Sequence, residues 1–248
     1  MSTATRAEIC IVACAEAFRG DGEILASPMG LIPSLGAKLA RATFEPDLLL
    51  TDGIASLVRP NAAGQGDTIE GTMPYRKVFD VVWSGRRHVM MGASQIDRFG
   101  NQNISCVGAH DQPKVQLLGA RGAPGNTINH PTSYWVPRHS KRVFVERVDF
   151  VCGVGYDRVA ELGIAGRFHE IRRVISNLGV FDFTTAERSM RIASLHPGVS
   201  LAEVAQATGF ELDHDQEVPT TRVPSEDELT LIRNVLDPLG RSHKEVAA

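Results

Sequence analysis

The sequence predicts an α/β fold, with an open and mostly parallel sheet flanked by helices. Three observations predict it. The chain opens on a helix–strand–helix succession. Asp47-Leu48-Leu49-Leu50-Thr51 then forms an apolar run between Pro46 and the Asp52-Gly53 turn, the pattern of a strand buried on both faces. A second such run, His88-Val89-Met90-Met91-Gly92-Ala93, follows a helical stretch; alternation of this kind sets ligand loops at the carboxyl ends of strands.

Each element has a local cause. Thr5 and Glu8 have capping-box spacing, and Ile9, Val12, Ala13 and Phe18 follow at helical period, which predicts a helix over 6–19 ended by Gly20. Residues 23–27 predict a short strand, and Pro28 and Gly30 a turn into a second helix ending near Ala42. A loop with Pro60, Gly64 and Gly66 follows the Leu48–Leu50 run, then a helix over 75–84. Residues 95–138 are rich in Gly, Asn, Pro and Ser, yet contain Ile96, Phe99, Ile104, Val107, Tyr134 and Trp135, which a solvated linker does not need. They are expected to be ligand loops.

Residues 142–150 and 168–184 alternate apolar with polar side chains, as half-buried strands do, with Asn177-Leu178-Gly179 as a turn. Ser200 caps a helix through Ala207 that stops at Gly209, and Ser225 with Glu228 forms a second capping box for 226–236. A chain of 248 residues, 43% hydrophobic and 22% charged, is expected to fold as one domain over 1–248 with a C-terminal helical segment at about 225–240.

A net charge of −3 gives little electrostatic support for nucleic-acid binding. The run Arg86-Arg87-His88 is expected to be a solvated loop. Cys10, Cys14, Cys106 and Cys152 form no CxxC pair and are expected as reduced, mostly buried thiols. No basic region precedes an apolar core at the N-terminus, and no apolar run reaches the ~18 residues of a membrane span, so the expected location is the cytoplasm. His110, His130 and His139 lack the short spacing of a metal site, and no GxSxG elbow is present.

Two segments carry chemistry. In Gly92-Ala93-Ser94-Gln95-Ile96-Asp97-Arg98-Phe99-Gly100-Asn101-Gln102-Asn103, glycines let backbone amides approach a ligand while Gln95, Asn101 and Asn103 offer neutral donors and acceptors; a plain hairpin turning at Asn101 is the bland alternative. In Gly119-Ala120-Arg121-Gly122-Ala123-Pro124-Gly125-Asn126-Thr127-Ile128-Asn129-His130, closely spaced glycines can expose amides to an oxyanion. The GxxGxxG spacing, with no clear helix after it, disfavours a dinucleotide fingerprint.

These blocks, the Lys141–Phe150 strand and the segment from Leu195-His196-Pro197-Gly198-Val199 to Ala207-Thr208-Gly209-Phe210 occur in this order in β subunits of class I coenzyme A transferases. The chain resembles that family, glutaconate CoA-transferase included, from about residue 5 to 237. The resemblance implies the class I CoA-transferase fold and a partner α subunit. In the transferases a glutamate after an early strand carries CoA as a covalent thioester; the corresponding residue here is Asp52, one methylene shorter. Moving a nucleophile by about 1 Å can cost on the order of 100-fold in rate.

LLLTDG, GRRHVMMGASQIDRFGNQNIS, GAPGNTINHPTSYWV and SNLGVFDF are similar to the β subunits of a narrower group, the actinobacterial cholesterol ring-cleaving hydrolases. This implies retro-Claisen-type opening of the last carbocyclic ring of a CoA thioester. The base is then a glutamate of the α subunit, the assembly is an α2β2 heterotetramer, and CoA enters only as part of the substrate. The candidate catalytic residues are Asp52, Gln95, Asn129 and His130, and the candidate acyl or CoA contacts are Gly92, Asn101, Asn103, Gly122, Gly125, Asn126, Tyr134 and Arg138, with loop-stabilising hydrogen bonds as the alternative and, for Asp52, a turn residue capping the next backbone amides as the favoured one. Tyr134, Trp135, Arg138 and His130 could wall the ring, with Arg138 against a carboxylate; for Trp135 a core position is the favoured reading, and for His130 a hydrogen-bonded structural role stands beside that of proton shuttle. A transferase using Asp52 as nucleophile and a non-catalytic scaffold remain the alternatives.

Overall fold

The computed structural model describes residues 4–61 and 66–246. The chain divides into two compact units, residues 1–90 with 222–248, and residues 91–221.

The first unit begins with helix α1 (Arg6–Glu16), whose Thr5–Glu8 capping box forms as expected, followed by β1 (Leu25–Pro28) and α2 (Leu31–Thr43). The two helices approach closely because position 36 is glycine: an added Cβ there would lie 2.7 Å from the Cβ of Cys14. The Leu48–Leu50 run is buried at Leu48 and Leu50, but its ladder is short. Leu49 makes one parallel bridge to Leu25, and β2 (Leu50–Thr51) turns into an antiparallel sheet with β3 (Ser56–Pro60) and β4 (Asp67–Thr72). That β3–β4 pair stands where a loop was expected; Gly64 lies outside the described residues. Helix α3 (Lys77–Ser84) leads to β5 (Arg87–Gly92), which pairs in parallel with β1.

Of the basic run only Arg86 is solvated. Arg87 and His88 are buried on the strand, and His88 Nδ1 lies 2.7 Å from Asp21 Oδ2, both side chains fully enclosed. The strand's apolar pattern overrides the local charge.

The second unit opens with a hairpin of β6 (Gln95–Ile96) and β7 (Gln102–Asn103), then the pair β8 (Cys106–Val107) and β9 (Val115–Gln116). Helix α4 (Ala123–Asn129) and β10 (Pro131–Val136) follow. After α5 (Tyr156–Val159) and a 3-10 stretch come β11 (Glu170–Ser176), β12 (Gly179–Asp182), β13 (Arg191–Leu195), α6 (Leu201–Ala207) and β14 (Asp213–His214). Strands β10–β11 and β13–β14 pair in parallel, whereas β12 runs against both its neighbours; the two-residue Asn177-Leu178 turn from β11 and the 183–190 connection to β13 are both shorter than a crossover needs.

Residues 142–150 do not form the expected strand. The amides of Val143 and Phe144 turn back onto the Ser140 carbonyl, and the segment keeps one bridge, Ile96 to Phe144. Its alternation instead buries Phe144 and Val148 as separate anchors.

The chain returns to the first unit through α7 (Glu226–Leu231), with the Ser225–Glu228 capping box, continued by a π-helical turn to Leu236. Arg233 reaches the buried carboxylate of Glu8 at 2.5 Å, and Arg222 pairs with both Glu16 and Glu228. All four cysteines are buried. No described helix is long and apolar enough to cross a membrane.

Candidate active site

The carboxyl ends of β1 and β2 open onto a cleft of about 560 Å³ in the first unit, bounded by Ser27, Asp52 and Arg87 and by the apolar Ile54, Met73 and Tyr75. Asp52 sits at its floor as a turn residue. Its Oδ1 accepts the amides of Ile54 (2.8 Å), Ala55 (2.9 Å) and Ser56 (2.9 Å), while Gly53 takes a left-handed φ of 75°. The Ser56 amide, with those of Ile54 and Ala55, holds the carboxyl down at about 2. Such a group stays ionised at neutral pH and is a weak base, poorly matched to taking a proton near pH 7. Burial pulls the Arg87 guanidinium down to about 10, and the cation remains charged under all ordinary conditions.

The first expected binding segment is spent on holding itself. Gln95 donates to Asp149 Oδ2 (2.9 Å) and accepts from Asn103 Nδ2 (2.7 Å) and the Asp149 amide (3.0 Å). Asn103 also donates to the Cys106 carbonyl and accepts from the Ser105 amide. Asn101 bridges Asp97 (3.0 Å to Oδ2) and Asp157 (2.8 Å), and its own oxygen accepts from the Gly155 amide (2.9 Å). A Cβ at Gly155 would lie 2.6 Å from the Asn101 nitrogen, so only glycine permits this contact. Burial raises the Asp97 carboxyl to about 6, against the lowering effect of its donors. The hairpin turns on Gly100, where φ is 84° and a Cβ would meet Ile171 at 2.6 Å. Exposed Gly92 accepts the Gln102 amide through its carbonyl at 2.7 Å.

The glycine-rich segment contains a helix after all. Gly122 precedes α4, Pro124 occupies its first turn, and Ala123, Asn126 and Thr127 pack inward. Asn126 donates to Met91 Sδ (3.2 Å), and Thr127 Oγ1 donates to the Ala123 carbonyl and accepts the Val154 amide. Tertiary packing of these polar side chains thus forms a helix from residues with poor intrinsic propensity. On the outer face Gly122 and Asn129 are exposed, with Asn129 donating to the Gly125 carbonyl at 2.9 Å.

The ring wall is corrected at Tyr134 and His130, whereas Trp135 takes the core position favoured for it. Tyr134 (0% exposed), Trp135 and His130 (2% each) are interior, and burial pushes the Tyr134 phenol far up. A Cβ at Gly153 would lie 2.8 Å from the Tyr134 hydroxyl, so the ring fills the core. Arg138 is exposed. Next to it His139 stacks on Phe144 at 3.6 Å, bonded to Ser176 and Thr208, and burial draws it down to about 3.

The structure therefore gathers Gln95, Asn101 and Asn103 into one internal network and buries Asn126, His130 and Tyr134. It leaves Asp52, Gly92, Gly122, Asn129 and Arg138 at the surface and Gly125 half-buried. Sequence reasoning missed Ile54, Met73, Tyr75 and Arg87. The Asp52-Gly53 turn was the available signal, since residues folding back onto a strand-end turn become its walls. Among the described residues no three His, Cys, Asp or Glu side chains assemble as a metal site.

The family model for coenzyme A transferases matches residues 8–207. The cholesterol ring-cleaving hydrolase IpdB subunit of Rhodococcus jostii (strain RHA1) is 57% identical, over 98% of this chain and 96% of that protein. A chain in the crystal structure of Rhodococcus jostii RHA1 IpdAB superposes with a TM-score of 0.95 at 56% identity, covering 100% of both. Glutaconate coenzyme A-transferase from Acidaminococcus fermentans matches with a TM-score of 0.80 at 23% identity, over 95% of this chain and 96% of that one, a likeness of fold alone.

Proposed function

The chain belongs to the coenzyme A transferase family and has the fold of its class I subunits, a mostly parallel sheet flanked by helices; from that premise we propose that it is the β-type subunit of a heteromeric ring-cleaving hydrolase. The substrate is a CoA thioester bearing the last steroid-derived carbocyclic ring. The observation that carries this reading is the 57% identity, along nearly the whole chain, to a subunit named for cholesterol ring cleavage. The partner is an α-type subunit in an α2β2 assembly, the location is the cytoplasm, and CoA enters with the substrate, no cofactor being resident.

In the proposed reaction a base takes a proton from water, and the oxygen adds to the ring ketone. The tetrahedral alkoxide collapses to a carboxylic acid as the ring C–C bond breaks. Its electron pair passes to the carbon beside the thioester, is held as the enolate, and is then protonated. By resemblance to the ring-cleaving hydrolases that base is a glutamate of the α-type subunit, and Asp52, held at about 2 by three amides, is poorly matched to the task. Asp52 shapes the cleft floor, and Ile54, Met73 and Tyr75 face the apolar ring. Within residues 91–221, Gly92, Gly122, Gly125, Asn129 and Arg138 are the candidate positions left open or half-open for acyl or CoA contact. Gln95, Asn101, Asn103, Asn126, His130 and Tyr134 hold those contacts in place.

The test is to assemble the chain with its α-type partner, supply the ring thioester and identify the product by mass spectrometry. Ring-opened acid with no CoA attached to Asp52 after borohydride or hydroxylamine trapping is expected. An Asp52-linked CoA adduct with acyl exchange between thioesters indicates covalent transfer instead. Undiminished turnover after the cleft and loop residues are replaced indicates a scaffold.

A further inference from the structure

The cleft continues into a surface that neither the proposed chemistry nor the fold requires. Tyr75, Phe79 and Trp83 recur every four residues along α3 and the turn before it, which sets them on one side of the helix. Their exposures are 62%, 63% and 92%, unusual for large aromatic side chains. The Tyr75 and Phe79 rings meet edge to face at 6.0 Å, so they form one surface. Ile54, 75% exposed, adjoins them because the Tyr75 amide donates to the Ile54 carbonyl at 3.1 Å.

The border of this stripe is basic. Lys77 pairs with Asp80 at 3.0 Å, and exposed Arg76 and Arg86 stand at its two ends. An apolar centre with a charged rim is the anatomy of a protein interface, and three aromatics contribute roughly 450–750 Å², much of one side of a standard one. An eight-residue helix with one such face is short for a membrane anchor.

We propose that the Tyr75–Phe79–Trp83 face of α3 is the docking surface for the α-type subunit, through an apolar patch edged by carboxylates on that partner. The inference rests on the two-chain reading above and extends it. The stripe is continuous with the cleft, since Tyr75 and Ile54 belong to both. A chain seated on the stripe therefore reaches the mouth of the cleft, where that reading requires a base from outside this polypeptide.

The experiment uses the co-expressed complex carrying Phe79→Asp and Trp83→Asp, with circular dichroism of the free chain as the fold control. The expected result is at least about 100-fold weaker association by sedimentation, because truncated aromatic anchors dominate interface energetics. Wild-type association by the folded variant overturns the proposal. So does a free chain that self-associates through Trp83, which assigns the face to a second copy.

If the variant fails to fold, tryptophan fluorescence decides. The chain has two tryptophans, and Trp135 is interior, so a Trp135→Phe chain reports on Trp83 alone. Its emission should shift to shorter wavelength when the partner binds, and an unchanged spectrum in the assembled complex refutes docking there. Failures stay distinguishable. A shielded Trp83 without ring opening removes the proposed activity and leaves the interface, whereas full turnover by an assembled double variant does the reverse.

Discussion

Asp52 and Asp97 each close a tight turn by accepting backbone amides, yet their carboxyls move in opposite directions. Asp52 takes three amides at the surface and is held at about 2. Asp97 takes the Phe99 and Asn101 amides and the Asn101 side chain, but is 5% exposed and rises to about 6. Hydrogen bonding sets the outcome where water remains; desolvation sets it where water is excluded, and the nearby Asp157 adds to the rise. The turn with the greater charge stabilisation faces the cleft, and the one with the strained charge is internal. A perturbed carboxyl is therefore not by itself the mark of a catalytic group.

Replacing Asn101 should break this contrast most severely. Asn101→Ala removes the bridge between Asp97 and Asp157 and the acceptor for Gly155, and is expected to cost about 3 kcal/mol at pH 7 by urea denaturation. The loss should be smaller at pH 5, where Asp97 is mostly protonated.

The pH profile sharpens it next. Below its ordinary value of 3.8 the Asp97 carboxyl is protonated in both folded and unfolded chains, so its contribution is complete. Between 3.8 and about 6 the unfolded chain ionises first, and stability should fall with rising pH by on the order of 3 kcal/mol. Asp97→Asn should flatten that limb. A profile that keeps its slope in the variant means Asp97 is not its source.

Asp52 has the opposite sign and the smaller effect. Its stabilisation is present above 3.8 and lost as pH falls toward about 2, so Asp52→Ala should be less stable at neutral pH and show a shallower acid limb. On activity, Asp52→Asn keeps the turn acceptor, and ring opening should stay within about tenfold of wild type, whereas a lost nucleophile would cost orders of magnitude more. Steady-state kinetics of the assembled enzyme separates the two.

What the sequence made legible follows from where the causes are local. Thr5–Glu8, Ser200 and Ser225–Glu228 each carry their cap within four residues, and all three helices start where expected. The hairpin at Gly100-Asn101 and the turn at Asn177-Leu178 were readable for the same reason. Helix α4 was not, because Pro124, Gly125 and Asn126 argue against a helix and the contacts that form it come from Met91 and Val154. Strand β4 is almost entirely exposed and offers no alternation to detect. At the site, Asp52 was placed at its turn, but which amides hold it depends on a chain reversal at Ile54–Ser56. The role of Gln95 likewise depends on Asp149, far along the chain.

The return of the C-terminal segment to α1 bears on how the molecule is made. Residues 91–221 are contiguous and can complete their contacts while synthesis continues, but Glu8 and Glu16 must wait for Arg233 and Arg222, which follow them by 225 and 206 residues. Helix α1 is thus translated well before its partners, and a nascent chain stalled before Arg222 presents an open carboxylate-bearing helix to the chaperones that meet it.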